Sequence, residues 1–189
     1  MTQFINARSV DQLLAFVQEG AAPVYLHFWG HKVSTPGTVT KSCLSQWYEA
    51  PFTVENDRYP TAEHFMMAEK ARLFGDTEVR AQVLEARTPA EVKALGRKVR
   101  DFEESMWNQA RFDIVVTANM AKFSQNLPLR DFLAGTGRSV LVEASPVDRI
   151  WGIGLAADHP DASQPARWQG LNLLGFALME VRSRLAPPH

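Results

Sequence analysis

Hydrophobic residues recur along most of this chain at every third or fourth position, the spacing that places side chains on one face of a helix. They predict helices over residues 10–19, 62–74, 77–86, 89–96, 103–120, 128–133 and 170–185. Residues 23–29 and 139–144 are short runs rich in β-branched and aromatic residues and predict strands. Turn-forming residues at 55–57 predict a hairpin, and residues 31–41 have the composition of a loop.

The predicted helix 62–74 carries an unusual distribution of charge. Thr61 is a favourable N-cap for this helix, as Thr77 and Thr88 are for the next two. With residues about 100° apart, five apolar side chains form one stripe: Met66, Met67, Ala71, Leu73 and Phe74. Glu63 and Lys70 lie near the middle of this stripe, whereas Phe65 lies on the opposite side. Since charges are rarely buried unless paired or used, we expect either a structural Glu63–Lys70 pair or a pocket floor bearing an acid/base carboxylate and a cation.

A second candidate segment follows the predicted strand 139–144. It contains Asp148, Trp151, Gly152 and Gly154, and glycines at such a place allow the backbone to approach a ligand closely. Glu63 and Asp148 are therefore the best candidates for paired carboxylates, which suit hydrolysis of a glycosidic bond. Their spacing in the sequence does not establish that they meet.

Other candidate binding residues have both a structural and a functional interpretation. Trp47 and Tyr48 either fill the core or form a stacking wall for a planar ring, and Trp107 is a core residue or one whose indole edge reaches a pocket. His27 is satisfied within its strand or lines a pocket. The basic cluster that includes Arg97 is a solvated helix end or a phosphate clamp. Asn172 is the polar exception in the first turn of the last predicted helix.

Length, charge and cysteine content narrow the class of protein. The 189 residues suffice for one domain, and the net charge of −1 provides no global positive field for nucleic acid or membrane binding. Cys43 is the single cysteine, which fits a reducing compartment, and we expect a cytoplasmic protein without signal peptide or membrane span. Glu63-His64 lacks the second histidine of a zinc-protease helix, and no nucleophile-elbow motif surrounds Cys43. We therefore predict no metal and no cysteine nucleophile.

Several stretches together resemble the NADAR, or YbiA-like, family and occur in the family's order. They are Leu44–Phe52, Tyr59–His64, Lys70-Ala71, Gly96-Arg97, Lys122–Asn126, Val142–Gly154 and Gly170–Gly175. Each stretch is only modestly specific, but their combination over residues 25–185 is highly specific. We accordingly assign residues 23–186 to a NADAR/YbiA-like domain and residues 1–22 to an N-terminal helical extension.

The resemblance implies a compact, single-domain α+β fold that is mostly helical with a small β-sheet. It implies an N-glycosidase that cleaves the ribose C1′–N bond of phosphorylated ribosylamino-pyrimidine intermediates of riboflavin synthesis. Other family members remove ADP-ribose from guanine bases of DNA, which is one alternative, and a non-catalytic reader of ADP-ribose or a related nucleotide is another. The near-zero net charge favours the small metabolite over duplex DNA. No cofactor is implied.

The resemblance also assigns roles to individual residues. The functionally important acid of the family falls on Glu63, and its tryptophans fall on Trp107 and Trp151, with Asp148 ahead of the latter. A lysine that forms a Schiff base with the opened ribose has been considered for the guanine-directed branch, and Lys70 is its match. Lys70 thus either orients Glu63 electrostatically or attacks C1′ as a free amine.

Overall fold

The computed structural model describes residues 7–33 and 37–186. In this part of the chain the helices are α1 (Val10–Gln18), α2 (Ala62–Leu73), α3 (Thr77–Glu85), α4 (Pro89–Gly96), α5 (Glu104–Gln125), α6 (Leu127–Gly135) and α7 (Leu173–Leu185). The strands are β1 (Tyr25–Phe28), β2 (Phe52–Val54), β3 (Asp57–Tyr59) and β4 (Val140–Glu143). The predicted class, a mostly helical α+β fold, is confirmed. Among the described helices, none is both long and apolar enough to cross a membrane.

The strands form two separate pairs within the described residues rather than one sheet. β2 and β3 form the predicted antiparallel hairpin. β1 pairs in parallel with β4, with Tyr25 opposite Val140 and Phe28 opposite Glu143. Because the strands run parallel, their carboxyl ends lie side by side, and the segments that follow β1 and β4 leave from the same end of the pair. Residues 34–36 of the predicted loop lie outside the described part of the chain.

Helix α2 occupies the centre of the molecule, packed against α3, α4 and α5. Every residue from Ala62 to Ala68 is buried, including Phe65, which the predicted stripe placed on the opposite side. A helix surrounded by other helices needs no polar face, which explains the imperfect amphipathic pattern. His64 is fully enclosed, and its ring nitrogens lie 2.8 Å from Thr61 Oγ1 and 3.2 Å from Ala86 O.

Side-chain caps fix the helix starts. Thr61 and Thr88 cap α2 and α4 as predicted, and Thr88 forms a complete capping box with Glu91. The prediction that Thr77 caps α3 is wrong, because the carboxylate of Asp76 accepts the hydrogen bond from the Val79 amide. Asp76 also accepts hydrogen bonds from the Arg100 side chain, which hold the pKa of that carboxyl well below its usual range.

The last helix begins later than predicted because Asn172 precedes it in a left-handed conformation, with φ at 52°. The Asn172 side chain accepts a hydrogen bond from the Glu143 amide and donates one to Leu141 O, each at 2.9 Å. Gly175 allows α7 to approach this strand, since an added Cβ would lie 2.1 Å from Leu141 O. The end of β4 is therefore held in a fixed position.

Candidate active site

A cavity of about 840 Å³ opens between α2, α4 and the segments that follow β1 and β4. The short segment 45–47 and the start of α5 complete its wall. Of the twelve site residues predicted from the sequence, seven line this cavity: Trp47, Glu63, Lys70, Arg97, Trp107, Asp148 and Trp151. The fold thus brings together side chains that are up to 104 positions apart in the chain.

Glu63 lies in the first turn of α2 and is only 4 % exposed. Its amide donates a 3.1 Å hydrogen bond to Gln46 O, which fixes the start of the helix against the segment that carries Trp47. Burial raises the pKa of the Glu63 carboxyl to about 7, while the charge of Lys93 and a hydrogen bond from the Trp47 side chain oppose this rise. Near neutral pH such a carboxyl exchanges protons readily, as acid–base catalysis requires.

Asp148 lies in the turn after β4 and is partly buried. Its Oδ1 accepts hydrogen bonds from the amides of Ile150 and Trp151, each at 2.8 Å, so this oxygen holds the turn in place. The Asp148 charge contributes to the raised pKa of Glu63. The two carboxyl groups therefore act on each other across the same cavity.

Lys70 lies two turns along α2 from Glu63, and these two residues form no ion pair in the described structure. Lys70 Nζ donates a 2.8 Å hydrogen bond to Gly96 O and lies 4.2 Å from the centre of the Phe102 ring. Burial lowers the pKa of this amine, which increases the fraction present as the free base. The cation that acts on Glu63 is instead Lys93, from α4.

The aromatic residues and Arg97 form the walls and entrance of the cavity. Trp47, Trp107 and Trp151 are half-buried and line the cavity, and Trp107 and Trp151 also pack against the core. Such amphipathic rings are suited to stack on a planar base. Arg97 follows α4 and is exposed at the cavity, where its guanidinium is available to an anionic group.

Five predicted binding residues lie outside the cavity lining: His27, Tyr48, Gly152, Gly154 and Asn172. The His27 Nε2 lies 3.1 Å from Ala162 O. His27 therefore has a hydrogen-bonding partner within the fold, as its structural interpretation predicts. The Tyr48 ring packs on the core, with its centre 5.6 Å from Lys122 Nζ. The geometry therefore gives both residues structural contacts.

Both glycines and Asn172 shape the cavity wall from behind. An added Cβ at Gly152 would lie 2.8 Å from Glu143 O, and Gly154 has a φ of 70° that side chains disfavour. The close approach for which glycine is required is thus to the protein's own backbone. Asn172, through the hydrogen bonds described above, holds β4 in place.

The sequence patterns do not predict three charged residues of the cavity, Lys93, Glu143 and Arg149. Glu143 ends the otherwise apolar strand β4, and a charge at that position was a signal that could have been used. Its carboxyl is buried, and burial together with the charges of Asp148 and Glu63 raises its pKa to about 8. Lys93 is exposed on a short helix, and no feature of the sequence distinguishes it from other surface lysines.

Comparison with known proteins identifies the family to which this chain belongs. The model of the NADAR domain matches residues 27–186. The chain belongs to the NADAR family. This NADAR chain is 40 % identical over 163 residues to N-glycosidase R617 of Acanthamoeba polyphaga mimivirus, covering 84 % of the chain and 94 % of that protein.

Two further relatives extend the comparison. N-glycosidase YbiA of Escherichia coli is 30 % identical over 136 residues, covering 72 % of this NADAR chain and 76 % of that protein. The NMR structure of E. coli YbiA superimposes with a TM-score of 0.69 at 25 % identity, over 86 % of the chain and 84 % of YbiA. A riboflavin biosynthesis protein of Vibrio vulnificus is 31 % identical over 142 residues, covering 75 % of the chain and 35 % of that protein. The predicted YbiA-like fold is confirmed.

Proposed function

We propose that this NADAR chain hydrolyses the ribose C1′–N bond of phosphorylated ribosylamino-pyrimidine intermediates of riboflavin synthesis. The observation that carries the proposal is the cavity that Glu63 and Asp148 share with four tryptophans and Arg97. Two carboxyl groups serve the chemistry at C1′, the indole rings suit a pyrimidine, and the guanidinium suits a phosphate. The relationship to the Vibrio vulnificus riboflavin biosynthesis protein supports this choice of substrate.

The enzyme class is the firmest part of the proposal. The relatives from mimivirus and E. coli are named N-glycosidases, which bears out the prediction of a glycosyl hydrolase. The names of these relatives imply a small-molecule substrate. The identity of that compound is the proposed part.

In the proposed reaction, Glu63 and Asp148 face C1′ of the bound ribose. Their negative charges stabilise the cation that develops at C1′ as the bond to nitrogen breaks. A carboxylate also accepts the proton of the attacking water, and Glu63 is suited to this because its pKa lies close to neutral. Lys93 keeps part of the Glu63 population ionised, so the orienting role considered for Lys70 falls to Lys93.

Lys70 is proposed to act before this water, by attacking C1′ of the ring-opened sugar as an amine, so that the water adds to C1′ of the resulting Schiff base. A ribosylamine opens to an imine, and the lysine displaces the base amine to form a Schiff base that water then hydrolyses. We expect sodium borohydride, added during turnover, to leave a reduced ribose phosphate on Lys70, because burial lowers the pKa of this amine. Mass spectrometry of the digested protein would locate the adduct.

The matched controls for this trapping experiment are Lys70→Ala, which should yield no adduct, and Lys98→Ala, whose exposed lysine lies outside the cavity lining. An active wild-type protein without any adduct would instead indicate direct attack by water. An adduct that persists in Lys70→Ala would assign the amine to another lysine, with Lys93 the first to examine.

A second candidate substrate is guanine that carries ADP-ribose, free or in DNA. The cavity mouth favours it, because Trp29, Val147 and Ile150 are exposed there beside Arg149 and offer room for the second half of a dinucleotide. One assay separates the candidates: the protein is offered a phosphorylated ribosylamino-pyrimidine and guanine-ADP-ribosylated DNA, and release is measured from each. We expect faster release from the ribosylamino-pyrimidine. Binding without release from either would favour a non-catalytic reader.

A further inference from the structure

The backbone of Glu143 is fixed in the cavity wall by hydrogen bonds on both sides. Glu143 is the last residue of β4, and its amide donates to Asn172 Oδ1 at 2.9 Å. Its carbonyl accepts a 2.9 Å hydrogen bond from the Ile153 amide. With the backbone fixed on both sides, its side chain projects from the strand end into the cavity. A group with such support is preorganised for one position on a bound substrate.

The Glu143 carboxyl has an oxygen that the protein leaves without a partner. Its Oε2 is buried and forms no hydrogen bond with the protein. Buried polar atoms are nearly always paired. Glu143 lines the cavity and is only partly buried as a residue, so a ligand bound there can reach its carboxyl and complete the pairing. By contrast, Asp148 Oδ1 already accepts two backbone hydrogen bonds, which commits that oxygen to its own turn.

The charges around Glu143 favour its neutral, protonated form. Asp148 from the following turn and Glu63 from α2 repel a negative charge there, and Lys93 from α4 only partly offsets them. The other charged or titratable side chains at the cavity are His31, Lys70, Arg97 and Arg149. Burial together with the two carboxylates raises the pKa of Glu143 to about 8. At neutral pH this carboxyl therefore holds a proton that it can donate.

We propose that Glu143 is the general acid of the reaction and protonates the departing nitrogen. This inference rests on the proposed function and names its proton donor. As the C1′–N bond breaks, its electron pair goes to nitrogen, and the Glu143 O–H bond gives up its proton to that same nitrogen. Glu63 receives the proton of the water that adds to C1′. One proton leaves Glu143 and one arrives at Glu63, so exchange with solvent restores both groups.

The test is Glu143→Gln, which keeps the size of the side chain but has no acidic proton. We expect kcat on the ribosylamino-pyrimidine to fall by about 100-fold or more, with KM within about threefold, because general acids contribute this much to the chemical step. The wild-type pH profile of kcat/KM, which reports the titrating groups of the free protein, should fall on the alkaline side as the acid loses its proton near pH 8. In Glu143→Gln this alkaline limb should be absent.

Two further variants keep the outcome interpretable. Glu85→Gln changes an exposed carboxyl outside the cavity lining and should retain the wild-type rate and profile. Glu143→Asp retains an acidic proton and should keep the alkaline limb of the pH profile at a reduced rate. If Glu143→Gln does not fold, Glu143→Asp takes its place in the test. An active wild type whose Glu143→Gln variant keeps its rate or its alkaline limb overturns the general-acid role alone. A wild type inactive on the ribosylamine and on ADP-ribosylated guanine overturns the proposed function, and the role of Glu143 with it.

Discussion

Replacement of Glu63 by Gln is expected to lower kcat by at least about 1000-fold while the fold stays intact. The loss combines the proton acceptor for water with the negative charge that stabilises the developing cation, and each contributes about 100-fold or more in enzymes of known mechanism. Gln fills the same volume, and its amide oxygen can still accept the hydrogen bond from Trp47. The effect should therefore be confined to the chemistry.

The same substitution should make the protein more stable at alkaline pH. The pKa of Glu63 is raised from 4.5 to about 7, so the unfolded state loses this proton before the folded state does. Stability associated with such a group is complete below the unfolded-state pKa and is lost as the pH rises through the folded-state value. Above pH 7 the wild type therefore carries a cost of about 3 kcal/mol that the neutral amide does not.

These two effects are measured on the same samples. Steady-state kinetics with the ribosylamino-pyrimidine report kcat, and urea denaturation at pH 6 and pH 9 reports the free energy of unfolding. Glu49→Gln is the control, since Glu49 is exposed and outside the cavity lining. Substantial turnover by a folded Glu63→Gln protein would refute its catalytic assignment. An unchanged pH dependence of stability would refute the raised pKa.

Local signals in the sequence predict the helices of this protein well and their environment poorly. Thr88 with Glu91 specifies the start of α4 because a capping box satisfies backbone amides within one turn. Asp76 and Thr77 are adjacent acceptors, and the Asp76–Arg100 contact, 24 residues apart, favours the former. The burial of residues 62–68 of α2 on every side likewise depends on α3, α4 and α5, which the periodicity of the helix does not encode.

In the candidate site, too, individual residues are predictable from local signals, whereas their arrangement depends on long-range packing. Glu63 is recognisable because it interrupts an apolar stripe, and Asp148 because it follows a strand beside Trp151. Whether the two meet depends on the parallel pairing of β1 with β4 and on the packing of α2, which are long-range features. Lys93 acts on Glu63 across the cavity from a helix that looks like ordinary surface in the sequence.

The glycines illustrate how the same signal can have two causes. Gly152 and Gly154 were expected to admit a ligand, but the nearest atoms to a Cβ at Gly152 are the backbone oxygens of Glu143 and Asp148. A composition rich in glycine indicates close approach without naming the approaching group. Glu143, whose carbonyl oxygen is one of those atoms, carries the side chain that faces the cavity.

Replacement of Lys122 by Met is expected to destabilise the protein by about 2–4 kcal/mol, because two buried carbonyl groups lose their partner. Lys122 is fully buried, and its Nζ donates hydrogen bonds of 2.7 Å to Cys43 O and 2.8 Å to Ser45 O. Burial lowers the pKa of this amine to about 7, so part of the population is neutral and the gain from removing a buried charge is limited. The two unpaired carbonyls therefore outweigh the added hydrophobic packing.

Lys122→Met should also reduce catalysis in the protein that remains folded. Lys122 binds the carbonyl groups of Cys43 and Ser45, which lie on either side of Leu44. Gln46 and Trp47 follow directly in the chain. Gln46 O accepts a hydrogen bond from the Glu63 amide, and the Trp47 side chain donates one to the Glu63 carboxyl. A shift of this segment would misplace Glu63, and misplacement of a catalytic group by about 1 Å can cost about 100-fold in rate.

Urea denaturation and kcat measured per folded molecule separate these two consequences. Lys98→Met, which changes an exposed lysine outside the cavity lining, should alter neither quantity by more than about 0.5 kcal/mol or twofold. Lower stability with a normal kcat would restrict Lys122 to the fold, and unchanged stability would show that the carbonyls find other donors. Loss of both would mean that a buried lysine without access to substrate sets the position of Glu63 through the four hydrogen bonds described above.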